Sequence, residues 1–135
     1  MNSVISILII FSILSSSINE IENSFYHGDL AKLKKFFPDD REIFVFLPKP
    51  FSLTGYLSKD QTIYTFDWIF KDYKTVSIRV RGGNTIKEKK DFVILKTEWN
   101  FFNRTSRKNY MSVILISLKK IQNNWKIIEI KSKEF

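Results

Sequence analysis

The second half of the chain limits the fold most strongly, because its apolar residues recur at every second position in segments separated by turn residues. This alternation is typical of β-strands with one face in a core. The four segments are residues 75–81, 92–102, 110–119 and 125–132, with turns expected at 82–84, 103–109 and 123–124. The inward positions are Val76, Ile78 and Val80 in the first segment, and Val93, Leu95, Thr97, Trp99 and Phe101 in the second. The pattern predicts an antiparallel sheet in which residues 110–119, apolar on both faces, form a central strand.

A helix is expected directly before these strands. Ser58-Lys59-Asp60-Gln61 fits a capping box, in which the serine hydroxyl and the glutamine side chain each bond a backbone amide of the first turn. The residues expected on one apolar face are Ile63, Phe66, Ile69, Phe70 and Tyr73. Tyr64 and Trp68 fall on a neighbouring face, where a solvated helix would carry charge. We therefore predict that Tyr64 and Trp68 are ligand-pocket residues, with core packing as the ordinary alternative.

Two short helices and one strand are expected further upstream. Ser17 and Glu20 have the spacing of another capping box, Gly28 suits a left-handed helix end, and Asp29 can cap the next helix. Residues 41–47 are apolar on both faces and predict a strand, followed by a proline-containing loop at 48–55. The fold class expected from this order is α+β, with three N-terminal helices packed on a strongly curved, mostly antiparallel sheet.

The N-terminus has the pattern of a secretory signal peptide. Residues 4–14 are apolar and uncharged, and Ser15, Ser16 and Ser17 follow as small residues of the kind found at cleavage sites. We expect residues 1–17 to be the signal, residues 18–135 to be a single domain, and the protein to be secreted or periplasmic, with no membrane span in the mature chain. An uncleaved anchor and a buried strand are the alternatives, because no Lys or Arg precedes the apolar run.

The charge of the chain is uneven. Residues 1–73 hold 7 basic and 9 acidic residues, whereas residues 74–135 hold 15 basic and 5 acidic residues. A basic sheet surface can attract nucleic acid, anionic lipid or an acidic polymer. The basic residues alternate with core positions instead of clustering, so a solvated surface is the preferred interpretation and nucleic acid is not an expected partner. The chain has no cysteine, which excludes disulfides, thiol catalysis and zinc–thiolate sites.

The order of these elements, together with several short motifs, resembles the nuclear transport factor 2-like, or cystatin-like, superfamily. Gly28-Asp29, Leu33, Phe36-Phe37, Ser58-Lys59-Asp60-Gln61 and residues 125–130 match an uncharacterised branch of short exported bacterial proteins. The resemblance covers residues 18–132. Leu57, which separates Tyr56 from Ser58, and Arg81-Gly82-Gly83 depart from the branch pattern. The resemblance implies a cone-shaped fold and assigns no function, because the superfamily contains many.

Few residues are suited to catalysis. Enzymes of the superfamily, such as ketosteroid isomerases and related hydratases, use a base and an oxyanion donor in an apolar pocket. His27 is expected at a helix end, Asp67 away from the apolar face of its helix, and Glu98 on the polar face of a strand. No residue spacing suggests a metal site, and no cofactor is expected. The first hypothesis is a non-enzymatic module that binds a small apolar ligand or forms a homodimer through its sheet. A pocket enzyme of the isomerase or hydratase type and a basic-surface binder are the alternatives.

Overall fold

The computed structural model describes the backbone of residues 2–85 and 91–133 and the side chains of residues 13–81 and 91–133. The helices are α1 (Asn2–His27), α2 (Leu30–Leu33) and α3 (Lys59–Asp72), and a 3₁₀ turn (Lys34–Phe36) follows α2. The strands are β1 (Ile43–Leu47), β2 (Leu53–Leu57), β3 (Tyr73–Thr85), β4 (Phe92–Asn103), β5 (Asn109–Ile121) and β6 (Asn124–Ser132). The class is therefore α+β, as expected.

All the described strands belong to one six-stranded sheet with the order β2-β1-β6-β5-β4-β3. Neighbours are antiparallel except β1 and β6, which run parallel. The central position predicted for residues 110–119 is confirmed, because β5 lies between β4 and β6. The strong curvature of the sheet stays a prediction.

Strand β2 corrects the sequence prediction, which assigned residues 48–55 to a loop. Residues 53–57 pair with β1, and Gly55 lies opposite Val45. A five-residue segment with a glycine in its centre has a weak strand preference of its own. Its conformation depends on the edge of β1, a tertiary partner that local pattern does not reveal.

Two predictions for β3 are wrong: Val76 does not face the core, and residues 82–84 do not form a turn. The pairing with β4 shifts between Thr75 and Ser77 and again between Val80 and Gly83. Each shift inserts an extra residue and reverses which positions face the core. Val76 is accordingly 53% exposed, and the segment at 82–84 continues the strand to Thr85 instead of turning.

Helix α3 confirms its predicted cap and most of its apolar face. The Gln61 amide donates to Ser58 Oγ over 3.2 Å, and the Ser58 amide donates to Gln61 Oε1 over 2.9 Å. Phe66, Ile69 and Phe70 are buried, as is Tyr73 at the start of β3. Burying each large side chain of this kind contributes about 1.5–3 kcal/mol, so the apolar face fixes the helix on the sheet.

Helix α1 corrects the prediction of a helix start at Ser17, because it runs without interruption from Asn2 to His27. No helix-breaking residue lies between the apolar run and Ile21, so the backbone at Ser17 is already inside a helix and needs no cap. The side chains of residues 2–12 of the expected signal lie outside the described residues. Within the described part of the chain, no helix is both long and apolar enough to cross a membrane.

The turn after α1 agrees with the sequence prediction. Gly28 is left-handed, with φ +62°, and Asp29 caps α2 by accepting from the Lys32 amide over 3.1 Å. A side chain at Gly28 would lie 3.4 Å from the Cβ of Phe70, so the turn is also closely packed against α3.

Candidate functional site

A stack of four aromatic rings occupies the face of the sheet that the helices cover, which we call the inner face. Phe51, from the loop between β1 and β2, packs against both Trp99, with centroids 5.6 Å apart and planes at 8°, and Phe101, at 5.2 Å and 30°. Trp99 and Phe101 also contact each other, with centroids 4.3 Å apart. Tyr110 stacks on Phe101 at 5.4 Å and 14°. We call Trp99, Phe51, Phe101 and Tyr110 the aromatic stack. Side chains of the protein itself therefore fill this part of the space between sheet and helices.

The loop between β1 and β2 is built to direct Phe51 inward. The amides of Phe51 and Ser52 both donate to the Pro48 carbonyl, over 3.0 and 3.2 Å. Ser52 then adopts a left-handed conformation with φ 53°. This tight turn buries the side chain of Phe51, which is only 8% exposed although it belongs to a loop.

The rest of the inner face is closed by aromatic contacts from α1 and α3. Phe25 meets Phe66, Phe70 and Trp99 edge-on, with centroids 5.5–5.8 Å apart. The buried N–H group of Trp99 has a hydrogen-bond acceptor within the protein, because Nε1–H donates to Thr75 Oγ1 over 2.9 Å. Edge-to-face pairs of this kind stabilise a core by about 0.5–1.5 kcal/mol each beyond simple burial.

A cavity of about 460 Å³ lies at the end of the sheet formed by the β1–β2 loop and the β4–β5 hairpin. We call it the loop-end cavity. Residues 47–51 and 110–113 line it, together with Phe101 and Ser132. Its wall is mostly apolar, its hydroxyl groups come from Tyr110, Ser112 and Ser132, and its one charged lining residue is Lys49. Such a site can hold a small apolar molecule and orient one polar group.

The two predicted pocket residues lie outside the lining of this cavity. Tyr64 is 77% exposed on α3, where it faces solvent. Trp68 is 38% exposed and touches the aromatic stack from outside, with its ring 6.1 Å from that of Phe51 and 6.3 Å from that of Tyr73. Trp68 thus supports the stack, and the pocket role of both residues stays a prediction.

The architecture matches solved structures at low sequence identity. A DUF4783 family protein from Bacteroides uniformis is 15% identical with a TM-score of 0.65, over 87% of this chain and 95% of that one. A nuclear transport factor 2 (NTF2-like) superfamily protein from Salmonella enterica is 14% identical with a TM-score of 0.65, over 92% and 89%. A Catenulispora acidiphila protein with a ketosteroid isomerase-like fold, in complex with trimethylamine, is 8% identical with a TM-score of 0.65, over 87% and 84%.

The chain has the nuclear transport factor 2-like fold. The resemblance recognised in the sequence is confirmed at this level. No family model matches the sequence, and no curated protein matches it either. At these identities the matches establish architecture alone.

Asp67 and Glu98, the two carboxylates considered as bases for an isomerase-type enzyme, do not face the inner side of the sheet in the described structure. Asp67 forms an ion pair with Lys71 over 2.9 Å, and its side chain is 44% exposed. The hydrogen bond from Lys71 to Asp67 raises the pKa of that lysine. Glu98 accepts from Arg81 Nε over 3.2 Å on the opposite, outer face of the sheet. Among the described residues, the buried polar side chains are serines and threonines.

His27 lies at the end of α1, beside a smaller cavity of about 260 Å³ that Lys74 and Arg104 also line. Arg104 Nη2 donates to the Phe70 carbonyl over 3.3 Å, and the Arg104 amide donates to the Asp72 carbonyl over 2.9 Å. The Arg104 guanidinium therefore compensates the partial negative charge where α3 ends. The expected structural role of His27 agrees with this position. Of the described residues, no three His, Asp or Glu side chains form a metal-binding group.

The sequence reasoning missed Phe51 and the loop-end cavity. The available signal was Pro48-Lys49-Pro50-Phe51, where two prolines restrict a loop immediately before a large aromatic residue. The cavity itself combines β1, β4, β5 and β6, which lie far apart in the sequence.

Proposed function

We propose that the mature chain is an exported, non-enzymatic binding module that holds a small apolar ligand in the loop-end cavity. The observation that carries this proposal is the cavity itself: about 460 Å³, apolar for most of its wall, with the hydroxyl groups of Tyr110 and Ser112 at one side. Ligand sites in proteins commonly have volumes of about 300–1,000 Å³ and this mixture of surfaces.

The placement of the acidic residues favours binding over catalysis. Proton abstraction in an apolar pocket needs a base that contacts the substrate. Asp67 and Glu98 are instead paired with cations at the surface. The aromatic stack occupies space in which a substrate of an isomerase would have to lie. The trimethylamine found in the Catenulispora acidiphila protein supports small-molecule binding by a protein of this fold.

Export is part of the proposal and rests on the N-terminal sequence. The apolar run at 4–14 and the three serines that follow form a signal pattern. Cleavage after Ser17 would leave Ile21 and Phe25, both fully buried, in the mature protein. The helix that the fold needs therefore begins close to where the leader ends.

The test is ligand binding by a variant in which the cavity is filled. Decanol serves as a probe, and tryptophan fluorescence reports binding, because Trp99 belongs to the aromatic stack that borders the cavity. Ser112→Met adds a long apolar side chain to the cavity wall, and we expect it to weaken decanol binding at least about tenfold. Ser77→Met, the same change at an exposed position of β3, is the control. The proposal fails if the native protein does not bind, or if both variants bind equally well.

Self-association is the second candidate, and it is favoured by the outer face of the sheet. Phe44, Phe46, Ile94, Val113 and Leu115 lie there partly exposed, although each is large and apolar. Apolar surfaces of this kind on a soluble protein often mark an interface. Sedimentation equilibrium would show a dimer that Leu115→Lys converts to monomer, with Lys96→Met as the control on the same face. A native protein that is monomeric at high concentration rejects this candidate.

A further inference from the structure

We propose that the ligand of the loop-end cavity is an anionic amphiphile, with its apolar body in the cavity and its carboxylate, or a similar anionic group, at the rim. This inference rests on the proposed function, because it assigns the chemistry of the ligand to the same cavity. It goes further by predicting which charge the ligand carries and which lysines bind it.

Three lysines from three different segments flank the cavity. Lys49 is itself a lining residue, in the loop that positions Phe51. Lys108, in the β4–β5 hairpin, places Nζ 5.3 Å from the ring centroid of Tyr110, which also lines the cavity. Lys133 follows β6, and its amide donates over 2.8 Å to the carbonyl of the lining residue Val113. Lys49 therefore places a positive charge in the lining itself, Lys108 places a second over a lining ring, and the backbone of Lys133 is bonded to a third lining residue.

This charge is not neutralised by neighbouring acids in the described part of the chain. None of the lining residues is Asp or Glu. The ion pairs found among the described residues use other lysines and Arg81, and none of them involves Lys49, Lys108 or Lys133. An anion at the rim would thus gain attraction without breaking an ion pair found among the described residues.

The aromatic residues of the wall are not arranged to hold a cation. A quaternary ammonium group binds over the exposed faces of aromatic rings. Phe51 and Phe101 are only 8% and 1% exposed, so their rings offer little open face, and Lys108 lies over the ring of Tyr110. The trimethylamine bound by the Catenulispora acidiphila protein is therefore not the expected type of ligand here.

Three probes with the same ten-carbon chain separate the contributions of the tail and the head group: decanoate, decanol and decyltrimethylammonium. Each is titrated at low salt and pH 7.5, below its micelle concentration. We expect decanoate to bind about tenfold more tightly than decanol. One exposed ion pair contributes little binding free energy, and the lysines near the rim together contribute at most a few times that amount, which corresponds to about a tenfold ratio of dissociation constants. Decyltrimethylammonium should bind more weakly than decanol, and added salt should weaken decanoate alone.

Lysine variants locate the head group. Lys108→Gln, outside the lining, should weaken decanoate about two- to fivefold and leave decanol unchanged, and Lys49→Gln should weaken decanoate by a larger factor than decanol. Lys96→Gln, on the outer face, is the matched control and should change neither. If decanol binds as tightly as decanoate, or if the ammonium probe binds best, the inference is overturned and the proposed cavity function remains. If none of the three probes binds, both are overturned.

Discussion

Replacement of Phe51 by alanine tests the architecture of the site most directly. Phe51 is 8% exposed and has ring contacts with Trp99, Phe101, Tyr73 and Trp68 at centroid distances of 4.9–6.1 Å. Phe→Ala substitutions in cores cost about 3–5 kcal/mol of unfolding free energy. We expect about 3 kcal/mol here, at the lower end, because the space left by the ring opens into the loop-end cavity and water can enter it.

The decrease in unfolding free energy is measured by urea denaturation, with tryptophan fluorescence as the signal. In a thermal melt of a chain of 135 residues, a decrease of 3 kcal/mol corresponds to a decrease in Tm of about 12 °C. Two of the ring partners of Phe51 are tryptophans, so the native emission spectrum should also change.

Phe102→Ala is the matched control. Phe102 lies on β4 one residue beyond Phe101, is partly exposed, and has the guanidinium of Arg107 5.7 Å from its ring centroid. Its removal should cost less than about 1.5 kcal/mol, because little buried surface is lost. A cost below about 1 kcal/mol for Phe51→Ala, or equal costs for both variants, would refute the conclusion that the loop packs into the sheet.

Three further outcomes are expected. Trp99→Phe should cost about 1–3 kcal/mol by unfolding, because it leaves the buried Thr75 hydroxyl without its donor, whereas Trp125→Phe should be close to neutral, since no described group accepts from Trp125 Nε1. Removal of residues 1–17 should preserve the cooperative thermal transition, and loss of that transition would show that these residues are part of the folded structure. A hydrogen bond and the charge of Lys59 lower the pKa of Asp39, so stability from this pair is present above the unfolded pKa of about 3.8 and is lost as pH falls through the folded pKa. Asp39→Asn should remove that part of the acid sensitivity in pH-dependent melts.

The parts of the fold that sequence predicted are those set by local chemistry. The capping box at Ser58 needs only the four residues that form it, and it is present as expected. The alternation of β4 from Val93 to Phe101 is also confirmed, because that strand pairs with β5 without a register shift. Local pattern is sufficient where neighbouring residues decide the structure.

The sequence predictions are wrong where residues distant in the sequence decide the local structure. Val76 became exposed because β3 carries a bulge whose position depends on β4. The predicted helix start at Ser17 is wrong because the residues before it are also helical and extend α1 to Asn2. The loop-end cavity was not predicted, because it is formed by strands and a loop that come together only in the folded sheet.

The position of the cavity follows from what fills the inner face. Phe66 and Phe70 of α3 pack against Phe25 of α1, and Phe25 in turn contacts Trp99 of the sheet, so buried aromatic rings fill the space under α3. Phe51 then closes the aromatic stack at the loop end, and the remaining volume lies beyond it, next to Lys49. Substitutions in the loop at 48–52 should therefore change ligand preference, and substitutions on the exposed side of α3, such as Tyr64→Ser, should not. Binding that depends on Tyr64 and not on this loop would show that the ligand lies at the exposed side of α3 and not in the loop-end cavity.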